Sequence, residues 1–469
     1  MALTAALGAD AVLLGEAIDR HYQTDWSGGA SVQPLAVLRP SGTEQVATAM
    51  RICHHYHVAV VPQGGMTGLA GGAIPSANAV ALSLERCTAL EPVDMSEATL
   101  TVGAGATLQA VQEAALSAGF VFGVDLGARG SCQIGGNLAT NAGGNGVVQY
   151  GMMREQALGL EVVLADGSVL SMLRPMRKNN TGYDLKQWFI GSEGTLGIIT
   201  RATLQLRPAP QAKCTALLGL HDYASAIRVL RHMQSHFPGA LAAFELMWED
   251  FYATVLQWHQ TASPFAQTYP LWVLIEVTGA EETALTEALQ ETLSQAMEQG
   301  DVADVVIAQS QTQARALWHI REATAEFLTH MVPISFDISL PVHHIGDYAE
   351  ECQRALSQQW PLHKTLRFGH LGDGNLHLTT DANSLDPATD KATLIRSVEE
   401  IVYGLLAARG GSISAEHGIG THKKDFLAVS RTPQELAAMR AVKQALDPLN
   451  LLNPGKVFDP LFDSKVLPA

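Results

Sequence analysis

The sequence predicts an α+β protein of two or three domains, and three observations carry that prediction. At 469 residues the chain is too long for a single hydrophobic core. Ahead of residue 200, strand–helix–strand patterning is interrupted by three Gly-rich blocks. Beyond Pro208 and Pro210 the texture changes to long helical periods alternating with apolar strands, which suggests helices layered on an antiparallel sheet. The expected division is 1–208, 209–429 and 430–469, with the last segment packing back on the first domain.

Taken in order, Leu35–Leu38 is a short apolar run closed by Pro40. Ser41-Gly-Thr43 then opens an amphipathic helix with Val46, Met50 and Cys53 at helical spacing. Val58–Val61 is a β-branched run that reads as a buried strand. His54, His55 and His57 sit where the helix ends, a solvated terminus at which cationic histidine suits the dipole. Next comes Pro62-Gln-Gly-Gly-Met-Thr-Gly-Leu-Ala-Gly-Gly72, with five glycines in eleven residues. Such a loop lets several main-chain N–H groups converge on one anion. Its spacing is wrong for G-x-G-x-x-G, and Gly103-Ala-Gly105 carries Leu108 where that motif ends in Gly or Ala. From Thr107 the pattern is helical.

The second block, Leu126 to Gly146, is so dense in Gly, Asn and Thr that it is expected to contribute no core. It suits close main-chain approach to a large planar ligand. Leu160–Leu164 and Val169–Met172 flank Asp166-Gly167, a hairpin signal. The third block runs from Lys178 to Thr200, and strand-like alternation continues to Leu206. In the second domain, helices are expected at 224–236, 281–299, 311–329 and 394–408, and strands at 271–277 and 334–340.

Phe368-Gly-His-Leu-Gly-Asp-Gly-Asn-Leu-His-Leu378 holds the most informative chemistry. Asp373-Gly374 suits a two-residue type I′ turn, which would set His370 directly opposite His377. Two imidazoles so held can bind one divalent cation. With Glu416 of Ser414-Ala-Glu-His-Gly-Ile-Gly420 as third ligand, they would make a His2Glu site open to substrate.

Composition is that of an ordinary globular chain, 47 % hydrophobic and 16 % charged. A net charge of −16 argues against nucleic acid or anionic membranes as partners. Five scattered cysteines without a CxxC pair fit a reducing compartment. Residues 1–20 lack the basic region of a targeting peptide and no stretch is apolar enough to span a bilayer, so a cytoplasmic location is expected.

The Gly-rich blocks, the hairpin histidines and Glu416-His417 together resemble the FAD-linked D-2-hydroxy-acid dehydrogenases of the vanillyl-alcohol-oxidase flavoprotein class, over about residues 30–460. The resemblance implies a two-lobed FAD-binding domain and an α+β substrate domain with an antiparallel sheet. Pro62, Gly64, Gly65, Met66, Thr67, Gly68 and Leu69 would wrap the pyrophosphate. Gly135, Gly136, Asn137, Thr140, Asn141, Gly143 and Gly144 would line the isoalloxazine and ribityl, Glu193, Gly194 and Ile199 would close the adenine side, and Asn453 would reach in from the tail. Relatives with covalent FAD often carry His where Met66 stands, so non-covalent FAD is expected. His370, His377 and Glu416 match the ligands of a divalent metal, zinc or alternatively manganese. His417 matches the catalytic base and Arg321 the substrate-carboxylate arginine. Hydride would pass from C2 of a D-2-hydroxy acid to flavin, with an electron-transfer flavoprotein or a quinone as acceptor and a homodimer as the candidate assembly.

Three positions depart from the 2-hydroxyglutarate members. Ser335 stands in place of their Lys, Thr379 in place of Asn, and Ala325 in place of Thr. These losses leave room for D-lactate or a longer apolar D-2-hydroxy acid beside D-2-hydroxyglutarate. The rival readings are a flavin subunit that only relays electrons and a metal-free oxidase on the same fold.

Overall fold

The computed structural model describes residues 1–459, which divide into two compact units. The first comprises Met1–Gly144, Gly151–Ala209 and the chain from Glu416; the second comprises Asn145–Tyr150 and Pro210–Ala415.

In the first unit, β1 (Val12–Leu13), β2 (Ala36–Leu38), β3 (Ala59–Gln63) and β4 (Ala79–Ser83) form a sheet in the order β1-β2-β4-β3. The β2–β4 and β3–β4 pairs are parallel, which requires a crossover. The helix Thr43–His55 supplies it, burying Val46, Ala47, Met50 and Cys53 in the core beneath this sheet. A second sheet, in the order β5-β9-β7-β8, is antiparallel and is built from β5 (Thr99–Gly103), β7 (Ala157–Val163), β8 (Val169–Met172) and β9 (Ile198–Gln205). A two-residue ribbon pairs β6 (Phe120–Val121) with β10 (Arg207–Pro208). The C-terminal segment joins the first sheet: Leu452 bridges Val60, and Lys443 Nζ donates to Asp447, to Leu452 O and to Thr195 O within the unit.

Two expectations need correction here. The second Gly-rich block does contribute core, because residues 134–140 form a helix whose Ile134 and Leu138 are fully buried. One apolar residue per turn, kept apart by small residues, is enough to seat a short helix closely. The chain also returns to the first unit at Glu416 rather than at residue 430. The Glu193 carboxylate accepts from Ile419 N–H (2.7 Å) and Gly420 N–H (2.8 Å), and Thr421 N–H donates to Ala70 O. Those bonds tie the loop to the first unit well before residue 430.

The second unit is one antiparallel sheet of seven strands, in the order β14-β11-β13-β12-β16-β17-β15. The strands are β11 (Ala212–Leu220), β12 (Leu241–Trp248), β13 (Leu271–Gly279), β14 (Asp304–Ile307), β15 (Pro333–Ser339), β16 (Thr365–His370) and β17 (Asn375–Asp381). On one face Leu217, Trp272, Leu274, Met247, Phe368 and Leu366 share a core with Phe251 and Val255 of the helix Glu249–His259 and Leu317 and Ile320 of the helix Gln311–Arg321. Residues 145–150 belong here because Gln149 Nε2 donates to Gly239 O and Thr278 Oγ1.

The helix expected over 311–329 ends at Arg321, followed by a 3-10 turn at Ala323–Glu326 and a short helix at Phe327–His330. Leu317, Ile320, Ala323 and Phe327 continue at helical spacing across the break, so apolar periodicity cannot reveal it. Strand β12 gave no alternation to read, since all eight of its residues are buried. Among the described residues no helix is long and apolar enough to cross a membrane.

Candidate functional site

The polar chemistry of the second unit gathers on the half of its sheet formed by β12, β16, β17 and the edge strand β15. Register places Glu245 of β12 beside His370 of β16, Asp337 of β15 beside His377 of β17, and Ser335 beside Thr379. Residues directly opposite one another share a face. Phe368 is opposite His377, so all six lie on the face that also carries Phe368.

The turn differs from the expected one. Gly374 has φ 86° but Asp373 is not left-handed, so the turn is not type I′. The N–H groups of Asp373 and Gly374 both point back to His370 O, making a four-residue loop. The register consequently shifts by two, with Phe368 opposite His377 and His370 diagonal to it. A two-residue slip keeps every side chain on its face, so the histidines still meet. Their ring centroids are 5.5 Å apart at 79°, and a ring nitrogen of each lies within 4.8 Å of the other.

Glu245 fixes the state of His370. Its Oε1 accepts from His370 Nδ1 at 2.8 Å and its Oε2 from Arg321 Nε at 2.8 Å, and the residue is 1 % exposed. Arg321 Nη2 lies 3.4 Å from His370 Nε2. A guanidinium only donates, so Nε2 carries the lone pair and Nδ1 the proton. That is the tautomer a ligating histidine needs, with its second nitrogen donating to a carboxylate. Burial works to raise the Glu245 carboxyl, but His370 and Arg321 outweigh it and hold it below the ordinary carboxylate range. Arg321 also lies over the Phe368 ring at 5.0 Å. Its Nε is thus committed to Glu245 and its Nη2 faces His370, so it is from the Nη end, chiefly Nη1, that it can offer donors to a ligand.

His377 stacks on Phe368 at 5.0 Å. Asp337, 1 % exposed, accepts from Asn375 Nδ2 through Oδ1, and from Ser414 Oγ and Ala415 N–H through Oδ2. It therefore pins the strand-like stretch that ends the second unit, one peptide bond before Glu416. Glu245 and Asp337 are the buried acids of this candidate site that sequence reasoning missed. A lone acid inside a wholly apolar run, as Glu245 is in Leu241–Trp248, was the available signal.

Within the first unit, Glu416 Oε2 accepts from Gly144 N–H at 2.9 Å, and His417 Nε2 is 3.8 Å from Glu416 Oε1. Glu193, at φ 53°, anchors the loop that follows them. Burial pushes its carboxyl up, against the pull of those two N–H groups. The side chain expected to close an adenine pocket is therefore occupied in holding residues 419–420. Ile199 lies in the core of β9, so only its main chain could face a ligand. Asn453 Nδ2 joins two loops by donating to Gly72 O (3.0 Å) and Glu193 O (2.7 Å).

The Gly-rich loops fit a dinucleotide. Among the described residues, none accepts from the main-chain N–H groups of Gly65, Met66, Thr67 or Gly68. Met66 is left-handed, at φ 57°, and a run of unpaired N–H groups around such a residue is the form of an anion nest. A Cβ on Gly65 would stand 1.9 Å from Ser131 O, whereas Gly136 has open space where its Cβ would be. Among the described residues, nothing donates to buried Gln63 Oε1, Gln133 Oε1 or Asn453 Oδ1. Gln133 Oε1 is 3.7 Å from where a Gly64 Cβ would sit. Thr140 Oγ1 caps back to Gly136 O, Asn141 is left-handed at the helix end, and Gly144, at φ 89°, touches Asp125 O too closely for any side chain.

A sequence profile described as the FAD binding domain matches residues 34–172, and one described as FAD linked oxidases, C-terminal domain, matches residues 209–457. A D-2-hydroxyglutarate dehydrogenase of Xanthomonas citri pv. viticola is 41 % identical over 445 residues, 94 % of this chain and 92 % of that protein. The mitochondrial D-2-hydroxyglutarate dehydrogenase of Bos taurus is 38 % identical, over 92 % of this chain and 78 % of its own length. Among solved structures, p-cresol methylhydroxylase with substrate bound superposes with a TM-score of 0.76 at 16 % identity, covering 98 % of this chain and 96 % of that one. The 4-ethylphenol oxidase of Gulosibacter chungangensis gives 0.72 at 18 %, covering 97 % and 96 %. At such identities these two share the fold.

Proposed function

The chain belongs to the FAD-linked oxidases, an oxidoreductase family, and from that premise we propose that it is a dehydrogenase of D-2-hydroxy acids that holds non-covalent FAD and a divalent cation. The observation that carries the reading is the His370–His377 pair, with His370 locked by Glu245 in its ligating tautomer. FAD held there would supply the acceptor for hydride from substrate C2, and a cation would supply Lewis acidity at the substrate hydroxyl.

The cation ligands in this reading are His370, His377 and Glu416. Two imidazoles and a carboxylate suit zinc, which binds such donors more tightly than manganese does. His417, next along, takes the hydroxyl proton. Arg321 presents its Nη edge to the substrate carboxylate. Pro62 and Gly64–Leu69 would hold the pyrophosphate, Gly135, Gly136, Asn137, Thr140, Asn141, Gly143 and Gly144 the ring and ribityl, the main chain of Glu193, Gly194 and Ile199 the adenine side, and Asn453 would reach in from the tail.

The names of the relatives put D-2-hydroxyglutarate first among substrates. One observation favours D-lactate instead. Ser335 Oγ and Thr379 Oγ1 are bonded to each other at 3.2 Å, a neutral pair where a dicarboxylate wants a cation. Anaerobic bleaching of the flavin by a panel of D- and L-2-hydroxy acids tests the reading without knowledge of the acceptor. Bleaching by D-acids alone is expected. A flavin that no D-2-hydroxy acid reduces would leave an electron-relay subunit as the better description. An electron-transfer flavoprotein and a quinone are the acceptors to try in turnover.

A further inference from the structure

A second cluster of metal-ligating side chains lies in the second unit and shares no residue with the hairpin site. His259 is the last residue of the helix Glu249–His259, which left-handed Gln260 terminates. His319 projects from the helix Gln311–Arg321, and Glu326 closes the 3-10 turn that follows. The His259 and His319 rings stack with centroids 4.2 Å apart and planes 9° from parallel. His259 Nε2 meets Glu326 Oε1 at 2.9 Å. One donor atom from each of the three residues falls within 4.8 Å of the others.

We propose that His259, His319 and Glu326 form a binding site for a late first-row divalent cation, with Zn2+ as the natural probe. Two His nitrogens around tetrahedral zinc lie roughly 3.3 Å apart, given Zn–N bonds of about 2.0–2.1 Å. The parallel stack does not yet aim both lone pairs at one point; that spacing is reached when exposed His319 turns about its side-chain torsions and half-exposed Glu326 follows. Imidazole and carboxylate are donors on which zinc, copper and nickel outrank the other first-row ions. A fourth position is left for water. The other carboxylate oxygen of Glu326 faces His330, whose ring stacks on Trp258 at 4.5 Å and whose Nε2 is 3.9 Å from Oε2. An ion there joins the end of one helix to the broken segment after Arg321, which has no long helix of its own to hold it. The site therefore acts as a clamp on that segment.

The test is zinc stoichiometry by equilibrium dialysis on the FAD-loaded protein after exhaustive chelation. His319→Ala, at an exposed position, is expected to bind one zinc per chain fewer than the wild type with its flavin spectrum unchanged, and His319→Cys is expected to restore that ion. If the hairpin site is also real, the wild type takes two and His319→Ala one; if it is not, the counts are one and none. The same stoichiometry in wild type and His319→Ala would overturn the proposal in either case.

Discussion

The two units solve the problem of ligand recognition in opposite ways. The first works through main chain: Gly65 and Gly144 are there because a Cβ would strike Ser131 O or Asp125 O, and the N–H groups after β3 are unpaired within the described residues. The second works through side chains locked to one another, with Glu245 holding His370 and Arg321, and Asp337 holding Asn375, Ser414 and Ala415. Main-chain recognition tolerates change in polar side chains but not added bulk. Side-chain recognition tolerates bulk nearby but not the loss of one charge. Glu416 and His417 come just after the chain passes from one scheme to the other.

If that contrast holds, the largest effect belongs to the proton acceptor. His417→Ala is expected to lower kcat about 10²–10⁴-fold while the FAD absorbance of the purified protein stays full; a kcat within twofold of wild type would remove His417 from the chemistry. Next is Glu245→Gln, which leaves Arg321 without a full counter-charge in a buried place. It should cost about 3 kcal/mol of stability by urea unfolding and leave FAD content unchanged. Loss of FAD with unchanged stability would mean that the second unit's network serves the dinucleotide instead.

A smaller effect concerns Lys456 in the first unit. Burial lowers its ammonium to about 8, while Asp25 and Glu193 pull it back up. An unfolded lysine titrates near 10.4, so between those two values the unfolded state holds more protons and this residue's contribution to stability rises with pH. Below pH 8 both states are charged and the contribution is constant. In FAD-free protein, wild-type stability relative to Lys456→Met should gain about 2 kcal/mol from about pH 8 to about pH 10. A flat difference would show that Lys456 keeps an ordinary affinity for protons in the fold. The smallest effect is one of specificity: Ser335→Lys should raise kcat/KM for D-2-hydroxyglutarate over D-lactate by roughly fivefold, the scale of one exposed ion pair at its upper limit.

Much of this was legible before any coordinates. The helix from Thr43, the strand from Ala59 and the strand from Leu271 announce themselves by period and by their flanking turns. The histidine pair was found through a wrong turn. Asp373-Gly374 suggested type I′, the loop is longer, and the pairing face survived because the slip is an even number of residues. What pattern could not show was Glu245 and its strand, where burial on both sides erases alternation. Nor could it show the end of the helix at Arg321, where apolar spacing runs on regardless. The role of the Glu193 carboxylate was also hidden, since a Gly-rich block says that main chain approaches something without saying which part of the same chain it is.

The most direct measurement is anaerobic flavin reduction in protein verified to be metal-free, before and after one equivalent of Zn2+ is returned, with the better D-2-hydroxy acid of the panel in excess. Reduction that is at least a hundredfold slower in the stripped protein, and that recovers with zinc in wild type but not in His377→Ala, is the expected result. Equal rates with and without the ion would contradict the assignment of His370, His377 and Glu416 as its ligands in catalysis.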